Sequence, residues 1–343
     1  MTEVQGPGTS TPGRRPTPFR TARFPGVNAD PADDVQHVAG TTMPARRLGP
    51  SDLIVGAVSY GCWRFAGGSV ADAEAKIVTA LDTGMTLIDT ADIYGFGSQA
   101  SGTDFGDAES LLGRVLTANP ALRDRMVLAT KGGIRPPVPY DQSREYLTAA
   151  CEASLRRLGV EFVDLYQVHR PDVLTHPAEL AATLQTLIER GLTRTIGVSN
   201  FTVAQTRALQ AHLDVPLVTS QPEWSALHLD PLVDGTFDLC AETAMTPLAW
   251  SPLGGGRLAP SDEPIDERTA RVVEVLDRLA AERGVDRTAV ALAWTMRHPS
   301  GPIPIVGTQR PERIRSLAAS ADVALDRAEW YEVLVASRGE RLP

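Results

Sequence analysis

Cysteine is scarce, no apolar run is long enough to cross a bilayer, and basic residues are outnumbered by acidic ones. The three cysteines of the 343-residue chain (Cys62, Cys151 and Cys240) are an odd number, far apart and without metal-ligand spacing. That excludes a disulfide framework and reads as reduced thiols in a cytoplasmic protein. A spanning helix needs about 18 consecutive apolar residues, and no run approaches that, so no membrane-spanning segment is expected. Thirty-three Lys and Arg against 42 Asp and Glu leave a net charge of −9. Such a balance is poor for wrapping nucleic acid or an anionic membrane surface, while one basic pocket for a single phosphate stays open. No GxGxxG fingerprint follows the first expected strand, which argues against a Rossmann domain.

What is present is a globular composition, 43% hydrophobic and 22% charged, with length for one large domain or two ordinary ones. Residues 1–47 stand apart: seven prolines, no Leu, Ile, Trp or Tyr. That stretch buries too little apolar surface to offset the entropy of ordering it and is expected to be a disordered extension. Arg14, Arg15, Arg20 and Arg23 lie in it without the apolar region of a targeting peptide.

From residue 48 to 343 a short β-branched run alternates with an amphipathic stretch of helical spacing. Expected strands cover 53–58, 85–90, 126–130, 163–168, 195–198, 217–220, 247–250 and 303–306. Expected helices cover 70–83, 108–116, 144–158, 178–190, 203–212, 232–244, 267–283, 287–297, 312–321 and 327–335. Asp72, Ser143, Thr202, Asp286 and the Arg310-Pro311 pair read as helix starts. Eight strand–helix units imply a parallel sheet, and their number fits a closed (β/α)8 TIM barrel better than an open doubly wound sheet.

In such a barrel the chemistry sits at the C-terminal strand ends. Those positions hold Asp89, Thr90, Asp92 and Tyr94 after the second strand, Lys131 after the third and His169 after the fourth. Ser199-Asn200, Gln221, Trp250-Ser251 and Gly307-Thr308 end the remaining strands. Singly, each has a structural explanation: a capping Asp, a rim Tyr, a solvated Lys, a hydrogen-bonded His. Jointly they equip one mouth to protonate an oxygen. A tyrosine phenol, with an ordinary pKa of about 10, becomes a better proton donor beside an ammonium that a carboxylate holds in place. A histidine next to it can cradle the same oxygen. Ser, Asn and Gln suit a carboxamide and Trp250 offers a flat stacking face, a set that suggests a nicotinamide.

With these residues the chain resembles the aldo-keto reductase superfamily over nearly all of residues 48–337. The resemblance rests on Asp89-Thr90-Ala91-Asp92-Ile93-Tyr94-Gly95, Ala129-Thr130-Lys131, Gln167-Val168-His169-Arg170-Pro171, Ile196-Gly197-Val198-Ser199-Asn200, Ser220-Gln221, Leu248-Ala249-Trp250-Ser251-Pro252-Leu253-Gly254-Gly255-Gly256-Arg257 and Ile305-Val306-Gly307-Thr308. It implies Tyr94 as general acid, tuned by Lys131 and Asp89, with His169 orienting the substrate oxygen. It implies further that Ser199, Asn200 and Gln221 hold the nicotinamide carboxamide and that Trp250 stacks on the ring. Ser251, Pro252, Leu253, Gly254 and Arg257 would wrap the pyrophosphate. Thr308, Arg310 and Arg313 would meet the adenosine end, and Cys62 and Trp63 would line the pocket.

The implied partners are a small aldehyde or ketone and NADPH, in a cytoplasmic protein that is monomeric as the family default. Gly307 stands where many members carry a lysine for the 2′-phosphate, so NADPH use rests on arginines and NADH is the alternative. Arg310 and Arg313 also fit a solvated helix start. The loop 96–107 reads equally as a lid or a surface insertion. Trp63, Phe65, Trp224 and the 96–105 stretch suggest a partly aromatic pocket. Two rivals stay open: a redox-sensing NADPH binder with little turnover, and an aldolase using Lys131 as a Schiff base. No metal site is expected, because His169 is the one histidine at the mouth and the other five lack paired ligand spacing.

Overall fold

Eight parallel strands close into a ring in the computed structural model, which describes residues 36–97, 104–261 and 265–343. The chain enters through an antiparallel hairpin, β1 (Ala45–Arg47) and β2 (Ile54–Gly56). The barrel strands follow: β3 (Ser59–Gly61), β4 (Leu87–Asp89), β5 (Val127–Gly132), β6 (Val163–Val168), β7 (Thr193–Ser199), β8 (Thr219–Gln221), β9 (Thr246–Ala249) and β10 (Ile303–Val306). Closure is made by β10 against β3, with Ile305 opposite Ser59 and Val306 opposite Tyr60. This is the expected (β/α)8 TIM barrel.

Parallel neighbours need a crossover between them, and the helices supply it. They are α1 (Val70–Asp82), α2 (Asp107–Ala118), α3 (Arg144–Leu158), α4 (Pro177–Glu189), α5 (Val203–Gln210), α6 (Thr236–Thr243), α7 (Glu267–Arg283), α8 (Arg287–Met296), α9 (Pro311–Ala318) and α10 (Arg327–Arg338). Their apolar faces pack on the outside of the barrel, where Ile77, Leu112, Leu147, Leu184 and Ile314 are fully buried. Inside, every second strand residue points to the axis. Leu87, Val127, Leu165, Leu248 and Ile303 fill the N-terminal half, and Leu48, Leu53 and Val55 of the hairpin segment plug that end.

Several expectations change. The run 53–58 supplies not the first barrel strand but the return strand of the hairpin; the barrel strand begins just beyond it at Ser59. Apolar content alone does not separate a plug from a stave. The compact unit starts at Gln36 rather than residue 48, because Met43 is buried against the core and β1 pairs with β2. Arg14, Arg15, Arg20 and Arg23 lie outside the described residues. Ser69, not Asp72, caps α1: its hydroxyl accepts from the Asp72 N–H. Asp286 precedes α8 without a side-chain capping bond. The stretch expected helical from 232 begins as a helix only at Thr236, after a single turn containing Pro231. Among the described residues no helix is long and apolar enough to cross a membrane.

Candidate active site

Strand periodicity of two carries Val127 and Ala129 into the barrel and therefore Lys131 as well, at its C-terminal end. Lys131 is fully buried. Its ammonium donates to Asp89 Oδ2 at 2.7 Å and to the Thr90 carbonyl at 2.8 Å. The second carboxylate oxygen, Asp89 Oδ1, accepts from the side-chain amides of Gln221 at 3.1 Å and Gln167 at 3.4 Å. Thr219 in turn donates to Gln167 Oε1 at 3.1 Å. A buried ion pair is worth keeping only when its remaining lone pairs are satisfied. Here two glutamines satisfy them.

Tyr94 hangs over this pair from the turn after β4. The turn is closed by Tyr94 N–H to Ala91 O at 3.2 Å and tied to α2 by Ala108 N–H to Tyr94 O at 3.1 Å. Gly95 follows with φ 115°, and a Cβ there would lie 2.3 Å from the Asp104 carbonyl, so the turn requires glycine. Lys131 Nζ lies 4.9 Å from the Tyr94 ring centre, and the His169 ring stands edge-on to it at 5.8 Å. Burial pushes the phenol above its ordinary pKa of 10.0 and outweighs the pull of Lys131. The expected net lowering is therefore not what the site shows; Tyr94 is held as a protonated phenol. Burial alone would depress Lys131, but Asp89 and then Tyr94 lift it, so it stays an ammonium. His169 is driven well below the ordinary 6.5 by burial and by the Lys131 and Arg170 cations. It is a neutral imidazole with one N–H to give.

These groups open onto a cavity of about 840 Å³ across the C-terminal face of the barrel. Its wall includes Trp63, Asp89, Tyr94, His169, Ser199, Asn200, Gln221, Trp250, Ser251, Pro252 and Leu253, and continues to Gly307, Thr308, Arg310 and Arg313. Four expected contacts are not on it. Cys62 is fully buried behind the wall, its N–H spent on the Asp89 carbonyl. Lys131 lies beneath the floor. Gly254 faces Leu227, and Arg257 turns away to Asp266 and to the Gly254 carbonyl. Phe65 and Trp224 also belong to the core, Trp224 stacking on Trp294 at 4.8 Å. Of the loop 96–107, residues 98–103 lie outside the described residues.

Does the wall suit an elongated dinucleotide? Asn200 and Ser251 have φ of 59° and 49°, two of the three non-glycine left-handed residues among those described. Such strain concentrates at working sites. Asn200 donates to the His169 carbonyl at 3.1 Å and to Ser199 Oγ at 2.9 Å, and accepts from the Trp250 indole N–H at 3.0 Å, fixing the indole plane. Gly255 and Gly256 have φ of 72° and 103°, and a Cβ on either would meet only open space. The Gly256 N–H is spent on the Leu253 carbonyl at 3.0 Å, which leaves the Gly255 N–H of this left-handed turn to face an oxyanion. Arg310 and Arg313 are exposed and make no ion pair among the described residues. The donor set fits: amides and an indole at one end, a glycine turn in the middle, free guanidinium groups at the other.

Sequence reasoning missed Gln167, Arg64, Gln309 and Ser316; the last three line the cavity. Gln167 was findable, since it lies two residues before His169 on the inward face of β6. Arg64 and Gln309 lie in loops, where no period marks a facing side, and Ser316 lies in the C-terminal half of α9.

Asp92 illustrates a buried acid with a different task. Both carboxyl oxygens are buried without a hydrogen-bond partner among the described residues, as is the Tyr166 hydroxyl nearby. Burial, then the Glu109 charge, raises the Asp92 pKa well above 3.8. The folded state therefore binds a proton that the unfolded chain releases above pH 3.8, and stability falls as pH rises from there to the folded pKa. One proton gives a slope of up to about 1.4 kcal/mol per pH unit. Asp92→Asn cannot ionise. It is expected to match the wild type near pH 4 and to exceed it increasingly toward neutrality, read by urea unfolding across pH. A stability difference that does not change with pH would contradict this assignment.

Comparison with known proteins agrees with the geometry. The aldo/keto reductase family model matches residues 57–335. The chain is 50% identical over 300 residues to a 6-dehydroglucose reductase of Novosphingobium aromaticivorans, covering 87% of this chain and 97% of that one. It is 37% identical over 310 residues to a 6-dehydroglucose reductase of Agrobacterium fabrum, covering 87% and 99%. Among solved structures, the thermostable aldo-keto reductase Tm1743, crystallised with the inhibitor epalrestat, superimposes with a TM-score of 0.72 at 25% identity over 86% of this chain and all of that one. Aldo-keto reductases are oxidoreductases that use a nicotinamide cofactor and act on small carbonyl compounds, and this chain belongs to the aldo/keto reductase family.

Proposed function

We propose that the protein is an NADPH-dependent reductase of aldehydes, with sugar aldehydes of the 6-dehydroglucose kind as the substrate class. The observation that carries the reading is the buried Lys131–Asp89 pair beneath Tyr94, 2.7 Å between the charged atoms, below the floor of a cavity that ends in arginines with no ion pair among the described residues. The substrate class comes from the 50% identical relative. Bound along this wall, NADPH supplies the hydride, two electrons and one proton, that the carbonyl carbon receives.

The chain's own residues handle the oxygen. His169, neutral and buried, donates its N–H to the carbonyl oxygen and polarises it without placing a second cation beside Lys131. As negative charge develops on that oxygen, the Tyr94 hydroxyl transfers its proton to it. The resulting phenolate faces the Lys131 ammonium, which stabilises it until a proton returns from water. Asp89, Gln167 and Gln221 keep that ammonium aimed upward rather than letting it reach solvent. Ser199, Asn200, Gln221 and Trp250 hold the nicotinamide end. The turn at Gly255 would hold the pyrophosphate, and Thr308, Arg310 and Arg313 would hold the adenosine phosphate.

NADPH oxidation with a panel of sugar aldehydes and aromatic aldehydes, with NADH in parallel, tests the reading. Turnover of the hydroxylated aldehydes with NADPH favoured supports it; binding of NADPH with no reduction of any of them would point to a cofactor-sensing binder instead. The cofactor half has its own test. A Cβ at Gly307 would meet only the Gly61 carbonyl, at an ordinary 3.6 Å, so a side chain fits there. Gly307→Lys is expected to lower the KM for NADPH by about tenfold, the order of one added charge-assisted hydrogen bond, and to leave that for NADH unchanged. Equal shifts for both cofactors would place the 2′-phosphate elsewhere.

A further inference from the structure

A buried lysine on α1 has no task in the chemistry above. The Lys76 side chain is 6% exposed, under the Phe65 ring at 5.8 Å. Lysines are rarely buried unless paired, because desolvating the ammonium is expensive. An ion pair with Asp72, one turn earlier on the same helix, does not account for the burial, since the Asp72 side chain is 52% exposed and the pair could form equally well in water. What the buried position adds is reach. Lys76 Nζ donates to Gln309 Oε1 at 3.0 Å, linking α1 to the segment between β10 and α9.

Gln309 uses both ends of its amide. Its oxygen accepts from Lys76 while its nitrogen donates to the Gly307 carbonyl at 3.1 Å. Flipping the amide would lose both bonds. From β3, fully buried Tyr60 donates its hydroxyl to the Thr308 carbonyl at 3.0 Å. The segment 307–310 is therefore tethered from behind by two side chains of neighbouring elements, while its front lines the cavity. Arg310 and Arg313 make no ion pair among the described residues, so backbone position alone sets where their guanidinium groups start.

We propose that Lys76 is a positioning and specificity-determining residue for the cofactor's adenosine phosphate, acting through Gln309 on residues 307–310. The proposal rests on the nucleotide reading given above. Without the tether the segment samples more conformations, and a phosphate arriving there must order it; with the tether that ordering is already done. The effect falls on the group that the segment and its arginines grip, so a dinucleotide bearing a 2′-phosphate feels it more than one without.

Calorimetric titration of NADP+ and NAD+ into the wild type, Lys76→Met, Gln309→Leu and the double variant tests this, with thermal melting to show that each is folded. Each single variant is expected to bind NADP+ about tenfold more weakly, the order of one hydrogen bond to a charged group, and NAD+ with a smaller change. The double variant is expected to be no weaker than either single one, because both cut the same link. Gln309 is only half-buried, so that variant carries the test should Lys76→Met fail to fold. Wild-type affinity in the single variants, losses that multiply in the double, or equal losses for both dinucleotides would overturn the proposal. A wild type that binds neither dinucleotide would overturn the nucleotide reading itself and this inference with it.

Discussion

Tyr94→Phe is expected to reduce aldehyde turnover by about 10²- to 10⁴-fold, the range for removing a positioned general acid, while the dissociation constant for NADPH stays at the wild-type value. The substitution deletes one oxygen and leaves the ring. The ring keeps its edge-on contact with His169 and its position above Lys131. The turn is held by backbone bonds on both sides, so the loop has no reason to move. In the proposed reaction the lost atom is the one that gives up a proton as charge develops on the substrate oxygen. Single-turnover NADPH oxidation with titration of cofactor separates the two quantities. Comparable rates in variant and wild type would remove Tyr94 from the mechanism, and a large loss of cofactor affinity would make it a cofactor contact instead.

Lys131→Met should be inactive and also poorly stable. Methionine fills much of the same volume, so the expected damage is electrostatic. It strands the Asp89 carboxylate in the barrel with only two glutamine amides for company. Breaking a buried pair from one side costs about 3–5 kcal/mol. Asp89→Asn together with Lys131→Met removes both charges. The double variant is expected to regain most of the stability, by urea unfolding, and none of the reduction. A double variant less stable than Lys131→Met alone would show that the pair is not the electrostatic unit described here.

Much of this is legible in the sequence, for a physical reason. In a closed parallel barrel a period of two decides which residues face inward, and the last inward residue of each strand faces the mouth. Asp89, Ser199 and Gln221 end their strands and Lys131 lies next to the end of its own; His169 and Trp250 follow theirs directly. Short apolar runs located those ends to within a residue or two. The failures share a cause too. Leu53 and Val55 are as apolar as a stave, yet they plug the barrel from below. Cys62, Phe65 and Trp224 lie in loop-adjacent stretches where a chain turns within two or three residues, and no periodicity says which side chain meets the pocket and which the core. Lys76 was invisible for the opposite reason: on a helix, a lysine four residues after an aspartate reads as a solvated ion pair. Only packing shows that it is buried and reaches another loop.

Net charge placed the balance of acids and bases correctly but not their local arrangement. An acidic chain still gathers Arg64, Arg170, Arg310 and Arg313 around one cavity. Attraction of an anionic cofactor depends on that local field rather than on the total.

The central claim is that hydride reaches a carbonyl carbon at this mouth. Mass spectrometry of the alcohol formed from 6-dehydroglucose with NADPH deuterated at both C4 positions tests it most directly. Glucose carrying a single deuterium on C6, formed by the wild type and not by Tyr94→Phe, is the expected product. Product without deuterium, or no product while NADPH remains tightly bound, would contradict it.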